Sequence, residues 1–311
     1  MAADIKEKNL VSVLMATHSE SKEILMQSIQ SIEQQTYKNI ELILVNDGNV
    51  NIEYLKNNMH MHNIKIINNT GIGLVDALNQ GLKEATGVFV ARMDADDISH
   101  PNRIEKSVDF LMKFGLDLMA TDINYMDIEG NIIRKGNIKS MFGHDLIDIL
   151  KRVNIMNHPT WLVRKELYIN NAGYLSFYKN EDWNFILRAI DKGYKLGFLG
   201  EALLNYRIGP NKLTTSSGLY HSNFTFNNLK SIWLTGNINK YLPEMDDSKF
   251  NLINIGIVKK RERFITIVFR NVNNHKRQFT LSNLLDSWTY LYLFNILLNR
   301  YSIRKVQKHD D

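Results

Sequence analysis

Short apolar runs in the first hundred residues alternate with segments whose apolar residues recur at helical spacing. The runs, which are typical of buried strands, are residues 10–16, 40–45, 64–67 and 88–91. Between the first two runs, Leu25, Ile29 and Ile32 fall on one face of a helix. A second helical face, between the third and fourth runs, comprises Leu74, Leu78, Leu82 and Ala85. Strands that alternate with helices predict an α/β fold with a mostly parallel central sheet flanked by helices.

The same pattern continues to about residue 215 and then changes. A helix is expected to start at residues 99–101, a hairpin turn at residues 127–131, and another helix near Glu181. Residues 194–199 and 203–206 are expected to be strands. After Thr215 the chain has helical segments and few strand signals. We therefore predict an α/β domain over residues 1–215 and a helical C-terminal appendage over residues 216–311.

Composition excludes several kinds of site. The chain of 311 residues has no cysteine, so disulfides, thiolate metal sites and a cysteine nucleophile are excluded. Its first nine residues lack the apolar core of a secretory signal. The most apolar late segment, residues 284–298, is interrupted by polar residues and is too short to span a bilayer. A cytoplasmic protein is expected.

Charge is unevenly distributed along the chain. From Lys259 onward there are eleven basic and four acidic residues, a net charge of +7, which leaves −2 of the overall +5 for the rest. A basic tail can attract an anionic membrane face. It can equally be a solvated helix face, and the apolar residues near it can mediate self-association. Peripheral contact with the inner membrane face and homo-oligomer formation both stay open.

Carboxylates follow two of the predicted strands. Asp94, Asp96 and Asp97 come directly after the fourth apolar run, and Asp47 follows the second. Since parallel sheets bind ligands at the carboxyl ends of their strands, these side chains are expected to share one crevice. Three carboxylates in four residues repel one another, and a divalent cation with hard oxygen ligands, Mg²⁺ or Mn²⁺, would relieve that repulsion. The alternatives are a solvated acidic turn for the cluster and simple turn chemistry for Asp47.

Other polar residues allow two interpretations each. Thr17, after the first strand, is either a nucleotide contact or a helix cap. Glu181 and Asp182 precede an amphipathic helix, where the helix dipole stabilises carboxylates and where one of them could be a general base. His158 and Arg207 interrupt apolar segments, and each alone is more often structural.

The order of short motifs along the chain is its most specific feature. In sequence they are Thr17, Val45-Asn46-Asp47-Gly48, residues 68–74 (Asn-Asn-Thr-Gly-Ile-Gly-Leu), Asn79-Gln80-Gly81-Leu82, residues 87–97 (Gly-Val-Phe-Val-Ala-Arg-Met-Asp-Ala-Asp-Asp), Asn157-His158-Pro159-Thr160, Gly173-Tyr174, Glu181-Asp182-Trp183 and Leu187-Arg188. This series resembles the family 2 glycosyltransferases with the GT-A fold, and especially the subgroup that builds bacterial capsular and exopolysaccharide repeats. The resemblance covers residues 10–207.

The resemblance implies a role for each matching residue. On the donor side, Asp47 would read the uracil edge of UDP, and the other nucleotide-sugar contacts would be Ala16, Thr17, Asn79, Asp94, Ala95 and Arg207. Asp94 and Asp96 would hold the metal, Mn²⁺ or Mg²⁺. On the acceptor side, Asp182 would be the catalytic base with Glu181 beside it, and His158 and Trp183 would line the acceptor pocket.

The implied reaction is inverting transfer of a hexosyl or N-acetylhexosaminyl group from a UDP-sugar to a glycan, lipid-linked or protein-linked acceptor, with no nucleic-acid partner. Leu78 stands where many relatives have an arginine, and Asn211 and Lys212 stand near the position of a usual histidine. Two other classes stay open. A nucleotidyltransferase would usually show a Gly-rich and basic N-terminal loop, which this chain lacks, and a non-catalytic sugar-binding scaffold would not need Asp94, Asp96 and Asp182.

Overall fold

The computed structural model describes residues 9–48, 55, 63–151, 154–175 and 180–209. Nearly all of them belong to one compact unit made of Met1–Ile147, Asn154–Leu175 and Glu181–Pro210. A second unit comprises Asp148–Val153, Ser176–Asn180 and Asn211–Asp311 and lies mostly outside the described residues. The predicted boundary at residue 215, the helical appendage and the basic tail also lie outside them.

The described residues form one mixed sheet. Its strands are β1 (Val11–Thr17), β2 (Ile40–Asn46), β3 (Ile64–Asn68), β4 (Phe89–Asp94), β5 (Ile98–Ser99), β6 (Leu118–Met126), β7 (Ile132–Arg134), β8 (Met141–Phe142), β9 (Leu162–Arg164) and β10 (Leu196–Arg207). Their order is β3-β2-β1-β4-β9-β6-β10-β5, with β7 beside β6 and β8 beside β10. The pairs β1–β2, β2–β3, β1–β4 and β6–β10 are parallel. Strand β9 is antiparallel to both neighbours and so joins the two parallel groups. The prediction of an α/β fold is confirmed. Among the described residues the four parallel pairs have the longest registers, and the other five pairs are antiparallel.

Helices cover the sheet. They are α1 (Lys22–Glu33), α2 (Gly73–Glu84), α3 (Arg103–Phe114), α4 (Gly143–Leu150), α5 (Lys165–Asn170) and α6 (Glu181–Asp191), with a 3₁₀ turn at His158–Thr160. In α1 the predicted face of Leu25, Ile29 and Ile32 is buried, and the Ser21 hydroxyl caps its first turn by accepting from the Ile24 N–H at 3.4 Å. No helix among the described residues is long and apolar enough to cross a membrane.

Helix α2 lies unusually close to the sheet at Gly81. A Cβ atom there would come within 2.2 Å of the Leu14 Cδ1 atom and 2.9 Å of the Val45 Cγ2 atom. The absence of a side chain therefore allows the helix to approach β1 and β2 directly. This contact fixes the helix beside the two strands whose ends carry Thr17 and Asp47.

Two element boundaries differ from the prediction. The helix expected to start at residues 99–101 begins at Arg103, because Ile98–Ser99 instead pairs with β10 as a short edge strand. The two strands expected at residues 194–199 and 203–206 are one strand, whose pairing with β6 shifts register near Leu199 and Ala202. The hairpin turn at residues 127–131 is confirmed by the Asp127 N–H, which donates to the Asn131 carbonyl at 3.0 Å.

At the end of the sheet opposite the crevice, Glu41 accepts several buried hydrogen bonds. One carboxylate oxygen accepts from the Ser12 hydroxyl, from the Thr86 N–H at 2.6 Å and hydroxyl at 2.9 Å, and from the Gly87 N–H at 3.2 Å. Burial works to raise the pKa of Glu41, but these hydrogen bonds outweigh it and hold that pKa below its usual value. The carboxylate thus ties β1 and β2 to the loop before β4.

We expect Glu41→Ala to lower the free energy of unfolding by about 2–4 kcal/mol, because it leaves buried donors without an acceptor. Because the pKa of Glu41 is lower in the folded than in the unfolded chain, Glu41 stabilises the fold at pH values above the ordinary glutamate pKa. This stabilisation is lost as the pH falls through the pKa of the folded state. Thermal unfolding at a series of pH values should therefore show the wild-type advantage over Glu41→Gln shrinking in acid. A constant difference between those two proteins would contradict the assignment of a charged role to Glu41.

Candidate functional site

The ends of three neighbouring strands form the centre of the site. In the parallel registers of β1, Ala16 pairs with Val45 on one side and with Asp94 on the other. The Asp47 N–H donates to the Thr17 carbonyl at 2.8 Å. Asp47 and Asp94, 47 residues apart in sequence, therefore flank the end of the same strand, and their predicted convergence is confirmed.

Asp47 is held by two neighbouring side chains, those of Asn69 and His18. Its side chain is 8% exposed, its Oδ1 atom accepts from the Asn69 amide, and its Oδ2 atom lies 3.7 Å from His18 Nδ1. The same His18 nitrogen lies 3.2 Å from the Asp47 carbonyl oxygen. The carboxylate is thus oriented from both sides at the rim of the crevice, and a turn-forming role alone does not explain these contacts.

The loop after β1 is organised by Glu20. One of its carboxylate oxygens accepts from the Thr17 hydroxyl at 2.7 Å, from the His18 N–H at 2.7 Å and from the Ser19 N–H at 3.2 Å. Thr17 is fully buried, so its side chain serves the loop rather than presenting a free hydroxyl. Ala16, half-buried at the strand end, is the residue of this pair nearer the crevice.

The carboxylates after β4 lie close enough to hold one cation. One oxygen from each of Asp94, Asp96 and Asp97 lies within 4.8 Å of the others. Asp94 and Asp96 are partly exposed, whereas Asp97 is fully buried. Their hard oxygen donors fit Mg²⁺ or Mn²⁺. Ala95 between them is 2% exposed and packs in the core, so any contact it makes with a ligand would come from its backbone.

Arg207 fixes this loop from the far end of β10. Its N–H donates to Asp97 Oδ1 at 2.9 Å and its Nε atom donates to the Asp96 carbonyl at 2.8 Å. The two terminal nitrogens donate to the Ile128 carbonyl at 2.7 Å and to Gln27 Oε1 at 3.0 Å. With 3% exposure and every guanidinium nitrogen in a hydrogen bond, Arg207 positions the carboxylates. Its implied contact with the diphosphate stays a prediction.

Arg92 is the residue that sequence reasoning missed. It is 2% exposed, and its Nη1 atom forms an ion pair with Asp94. Burial works to lower the pKa of Arg92, but the neighbouring Asp94 carboxylate outweighs it and raises that pKa. The sequence does carry an indication of its role: Arg92 is a charged residue within an otherwise apolar run, two positions before Asp94.

A buried polar chain, on which the charge of Arg92 acts, leads to helix α6. His158 Nε2 lies 2.7 Å from the Tyr174 hydroxyl, which lies 2.9 Å from the Tyr168 hydroxyl. Burial, reinforced by the charge of Arg92, lowers the pKa of His158 well below its usual value, so the imidazole is neutral. Burial likewise raises the pKa of Tyr174 well above its usual value. His158 Nδ1 lies 3.8 Å from Glu181 Oε1.

The two carboxylates that open α6 have different environments. Burial and the adjacent Asp182 raise the pKa of Glu181 to about 8, so this residue carries a proton at neutral pH. Asp182 is partly exposed, and its Oδ2 atom accepts from the Asn154 amide at 2.9 Å. Asn154, in a segment without a recognisable pattern, was not predicted. Trp183 is 1% exposed, so its ring is buried in the core. Its implied place in the acceptor pocket stays a prediction.

Asn79 and Arg188 fix the position of Tyr174. The Asn79 amide donates to the Tyr174 carbonyl at 2.8 Å, and its oxygen accepts from the Tyr174 N–H at 2.9 Å. Arg188 donates to the carbonyls of Asn171 and Gly173 in the preceding turn. Both side chains therefore fix the backbone that carries Tyr174, whose hydroxyl lies 2.7 Å from His158 Nε2. The implied contact of Asn79 with the nucleotide-sugar stays a prediction.

Comparisons with known proteins agree on one kind of relative. The sequence pattern of the family described as "Glycosyl transferase family 2" matches residues 12–170. The O-antigen biosynthesis glycosyltransferase WbnJ of Escherichia coli is 32% identical over 217 residues, which cover 68% of this chain and 84% of that protein. The UDP-Gal:alpha-D-GlcNAc-diphosphoundecaprenol beta-1,3-galactosyltransferase of Escherichia coli is 27% identical over 219 residues, 68% of this chain and 78% of that protein.

Among solved structures, residues 1–349 of S. aureus TarS in complex with UDP-GlcNAc match with a TM-score of 0.58 at 17% sequence identity. The match covers 71% of this chain and 66% of that one. At this identity the likeness concerns the fold alone. Together with the mixed sheet flanked by helices, it confirms the GT-A fold that the motif series implied.

Proposed function

Since the chain belongs to glycosyl transferase family 2, we propose that it moves a hexosyl or N-acetylhexosaminyl group from a UDP-sugar to an acceptor hydroxyl, with inversion at the anomeric carbon. The observation that carries this proposal is the convergence of Asp47 and the Asp94 cluster at the end of β1. That arrangement offers an acceptor for a nucleobase or ribose on one side and oxygen ligands for a cation–diphosphate on the other. Such a crevice at strand ends is where open α/β sheets bind nucleotides.

The donor is proposed to be a UDP-sugar. A relative is named for UDP-Gal, and a solved structure of the same fold contains UDP-GlcNAc. Asp47 suits the nucleoside end, because its carboxylate is pre-oriented by Asn69 and His18 at the crevice rim. A carboxylate held in this way can accept hydrogen bonds from a uracil edge at little entropic cost.

Asp47→Ala is expected to weaken UDP binding about tenfold or more, because a hydrogen bond to a charged group contributes about 1.5–3 kcal/mol. The free energy of unfolding should fall by less than the binding free energy, since the variant removes only one partner of the partly buried Asn69 amide. Calorimetry with UDP, together with thermal unfolding, separates the two effects. His18→Ala is the matched control, because it removes one neighbour of the carboxylate and keeps the carboxylate. An unchanged UDP affinity in a folded Asp47→Ala protein would remove Asp47 from the site.

The metal is proposed to be held by Asp94 and Asp96. Both are partly exposed at the crevice, whereas Asp97 is buried and accepts from the Arg207 backbone. A bound Mn²⁺ or Mg²⁺ supplies Lewis-acid stabilisation of the negative charge on the departing diphosphate. The chain's own contribution is to hold the two carboxylates in place through Arg92 and Arg207.

Asp182 is proposed as the general base. A general base must be unprotonated at neutral pH. Glu181 does not meet this requirement, because its pKa of about 8 leaves it protonated. Asp182 is more exposed, and the start of α6 favours its negative charge. The Asn154 amide orients the carboxylate. Asp182 would therefore take the proton of the acceptor hydroxyl, while protonated Glu181 would donate a hydrogen bond to the acceptor.

The proposed setting is bacterial surface-glycan assembly on the cytoplasmic side, with a glycan, lipid-linked or protein-linked acceptor. WbnJ, named for O-antigen biosynthesis, supports this setting. Membrane docking and self-association through residues 216–311 remain predictions, because that region lies outside the described residues. A nucleotidyltransferase and a non-catalytic scaffold are not favoured, because the family match and the complete set of Asp94, Asp96 and Asp182 both indicate a transferase.

The deciding experiment is a panel of UDP-sugars tested for hydrolysis and for transfer, with and without manganese. We expect release of UDP from one or a few members of the panel, and only when the divalent cation is present. Release of pyrophosphate from a nucleoside triphosphate would instead indicate a nucleotidyltransferase. Binding of a sugar without any turnover would indicate a scaffold.

A further inference from the structure

Gln80 connects helix α2 to the loop that holds Asp47. It lies one residue before Gly81, the glycine that lets α2 approach β1 and β2 directly. Its Nε2 atom donates to Asn69 Oδ1 at 2.5 Å, and the Asn69 amide in turn donates to Asp47 Oδ1. These three side chains form a hydrogen-bonded relay, Gln80–Asn69–Asp47, from the helix to the carboxylate at the crevice rim.

The orientation of both amides in the relay is fixed by groups that can only donate or only accept. The Thr70 N–H donates to Gln80 Oε1 at 3.2 Å, and the Gly71 N–H donates to Asn69 Oδ1 at 3.0 Å. At the other end a carboxylate can only accept, so the Asn69 nitrogen must face Asp47. Rotation of either amide by half a turn would place two donors or two acceptors against each other. The relay therefore has one hydrogen-bonded arrangement.

The backbone under Asn69 is tied to the end of β2. The Asn69 N–H donates to the Asn46 carbonyl at 2.8 Å, and the Asn46 amide donates to Asn68 Oδ1 at 3.3 Å. The position of Asn69 is thus given by the sheet, and what remains to be fixed is the direction of its side-chain amide. Gln80 supplies that restraint from outside the loop.

We propose that Gln80 is a positioning residue for base selection: through Asn69 it holds the Asp47 carboxylate as a fixed acceptor, and this favours uracil over cytosine. The inference rests on the nucleotide-binding role proposed above for Asp47. Uracil presents an N–H between its two carbonyls, where cytosine presents an unprotonated ring nitrogen. A carboxylate accepts from the first and repels the second. An acceptor that is already held in place binds its donor at a lower entropic cost.

The test is calorimetry of the full chain with UDP and with CDP, which share the diphosphate and differ in the base. Gln80→Glu keeps the shape of the side chain and the acceptor for the Thr70 N–H, but it places an acceptor opposite Asn69 Oδ1. We expect UDP affinity to fall about five- to tenfold, the effect of about one hydrogen bond, and CDP affinity to change by about twofold or less. The preference for UDP should therefore shrink. An equal loss for both nucleotides would indicate a loosened loop and overturn the proposal.

Gln30→Glu is the matched control, because it makes the same change at an exposed position of α1 and should leave both affinities near those of the wild type. A double-mutant cycle gives the second readout. In an Asp47→Ala background, Gln80→Glu should have no further effect on UDP affinity, because its action passes through the missing carboxylate. The same loss in both backgrounds would overturn the proposal.

If Gln80→Glu does not fold, Gln80→Met takes its place, because it removes both hydrogen bonds of the side chain without adding a charge. It should shrink the preference for UDP in the same direction, and an unchanged preference would overturn the proposal. Asp47→Ala distinguishes the two levels of inference. If it leaves UDP affinity unchanged, the proposed nucleotide site fails together with the role of Gln80. If it weakens UDP binding while the folded Gln80 variant does not, the role of Gln80 alone fails.

Discussion

Asp182→Asn is expected to lower the rate of sugar transfer about 10²–10⁴-fold, the usual contribution of a general base. The substitution keeps the size of the side chain and an oxygen that can accept the Asn154 amide, but it cannot take a proton. Affinity for the UDP-sugar should stay nearly unchanged, because Asp182 lies at the start of α6 and not among the strand ends that are proposed to hold the nucleotide. Single-turnover transfer, UDP calorimetry and thermal unfolding measure the three quantities separately.

Glu181→Gln is the matched control for that prediction. With its pKa of about 8, Glu181 is protonated at neutral pH, and a glutamine amide resembles the protonated carboxyl in shape and in its ability to donate. Its transfer rate near pH 7 should therefore fall far less than that of Asp182→Asn. If Asp182→Asn transfers sugar at the wild-type rate while Glu181→Gln does not, the base is Glu181 and the assignment is reversed. A purely structural role for Asp182 would show as a lower melting temperature with unchanged turnover per folded molecule.

Removal of the divalent cation by a chelator is expected to abolish transfer, and Asp96→Ala is expected to lower it about 10²-fold or more. Charge stabilisation by a metal contributes several kcal/mol, and each 1.4 kcal/mol corresponds to a factor of ten in rate. Asp96 is the better choice for substitution, because Asp94 also pairs with buried Arg92 and Asp97 also accepts from the Arg207 backbone. Either of those substitutions would mix a folding effect with loss of the metal.

The accompanying measurement is the affinity for UDP with Mg²⁺ and with excess chelator. Wild-type protein should bind UDP more tightly with Mg²⁺, and Asp96→Ala should lose that difference while it keeps the metal-independent part. Asp109→Ala, at an exposed position of α3, is the control for loss of an aspartate as such. Full activity in excess chelator would exclude the metal role, whatever the behaviour of Asp96→Ala.

The sheet and the meeting of its strand ends could be predicted, because both follow from periodicity. The apolar runs at residues 10–16 and 40–45 each became a buried strand, and the chain after each run emerges at the same edge. The placement of Asp47 and Asp94 on the two sides of the end of β1 then follows from parallel pairing alone. Boundaries were less predictable where a backbone could pair in two ways, as at residues 98–99, which pair with β10 before α3 starts.

The hydrogen-bond partners of the site residues could not be predicted. The Thr17 hydroxyl donates to Glu20 and the Asn79 amide donates to the Tyr174 carbonyl. The sequence does not determine these partners, because they depend on which segments the fold brings close to each side chain. Arg207 and Arg92 illustrate the same limit. A buried arginine is identified by the carbonyls and carboxylates around it, and these come from segments more than a hundred residues away as well as from its own strand.

Arg207 also determines when during synthesis the site can be completed. The loop of Asp96 and Asp97 is translated more than a hundred residues before the arginine that holds it, and the Gln27 contact spans 180 residues. Contacts between residues so far apart in sequence form late in folding, because closing the long loop between them has a high entropic cost. A nascent chain that has not yet emerged past residue 207 therefore has the acidic residues without the group that orders them. The proposed cation affinity should accordingly be acquired late in the maturation of this domain, well after β1, β2 and β4 can pair.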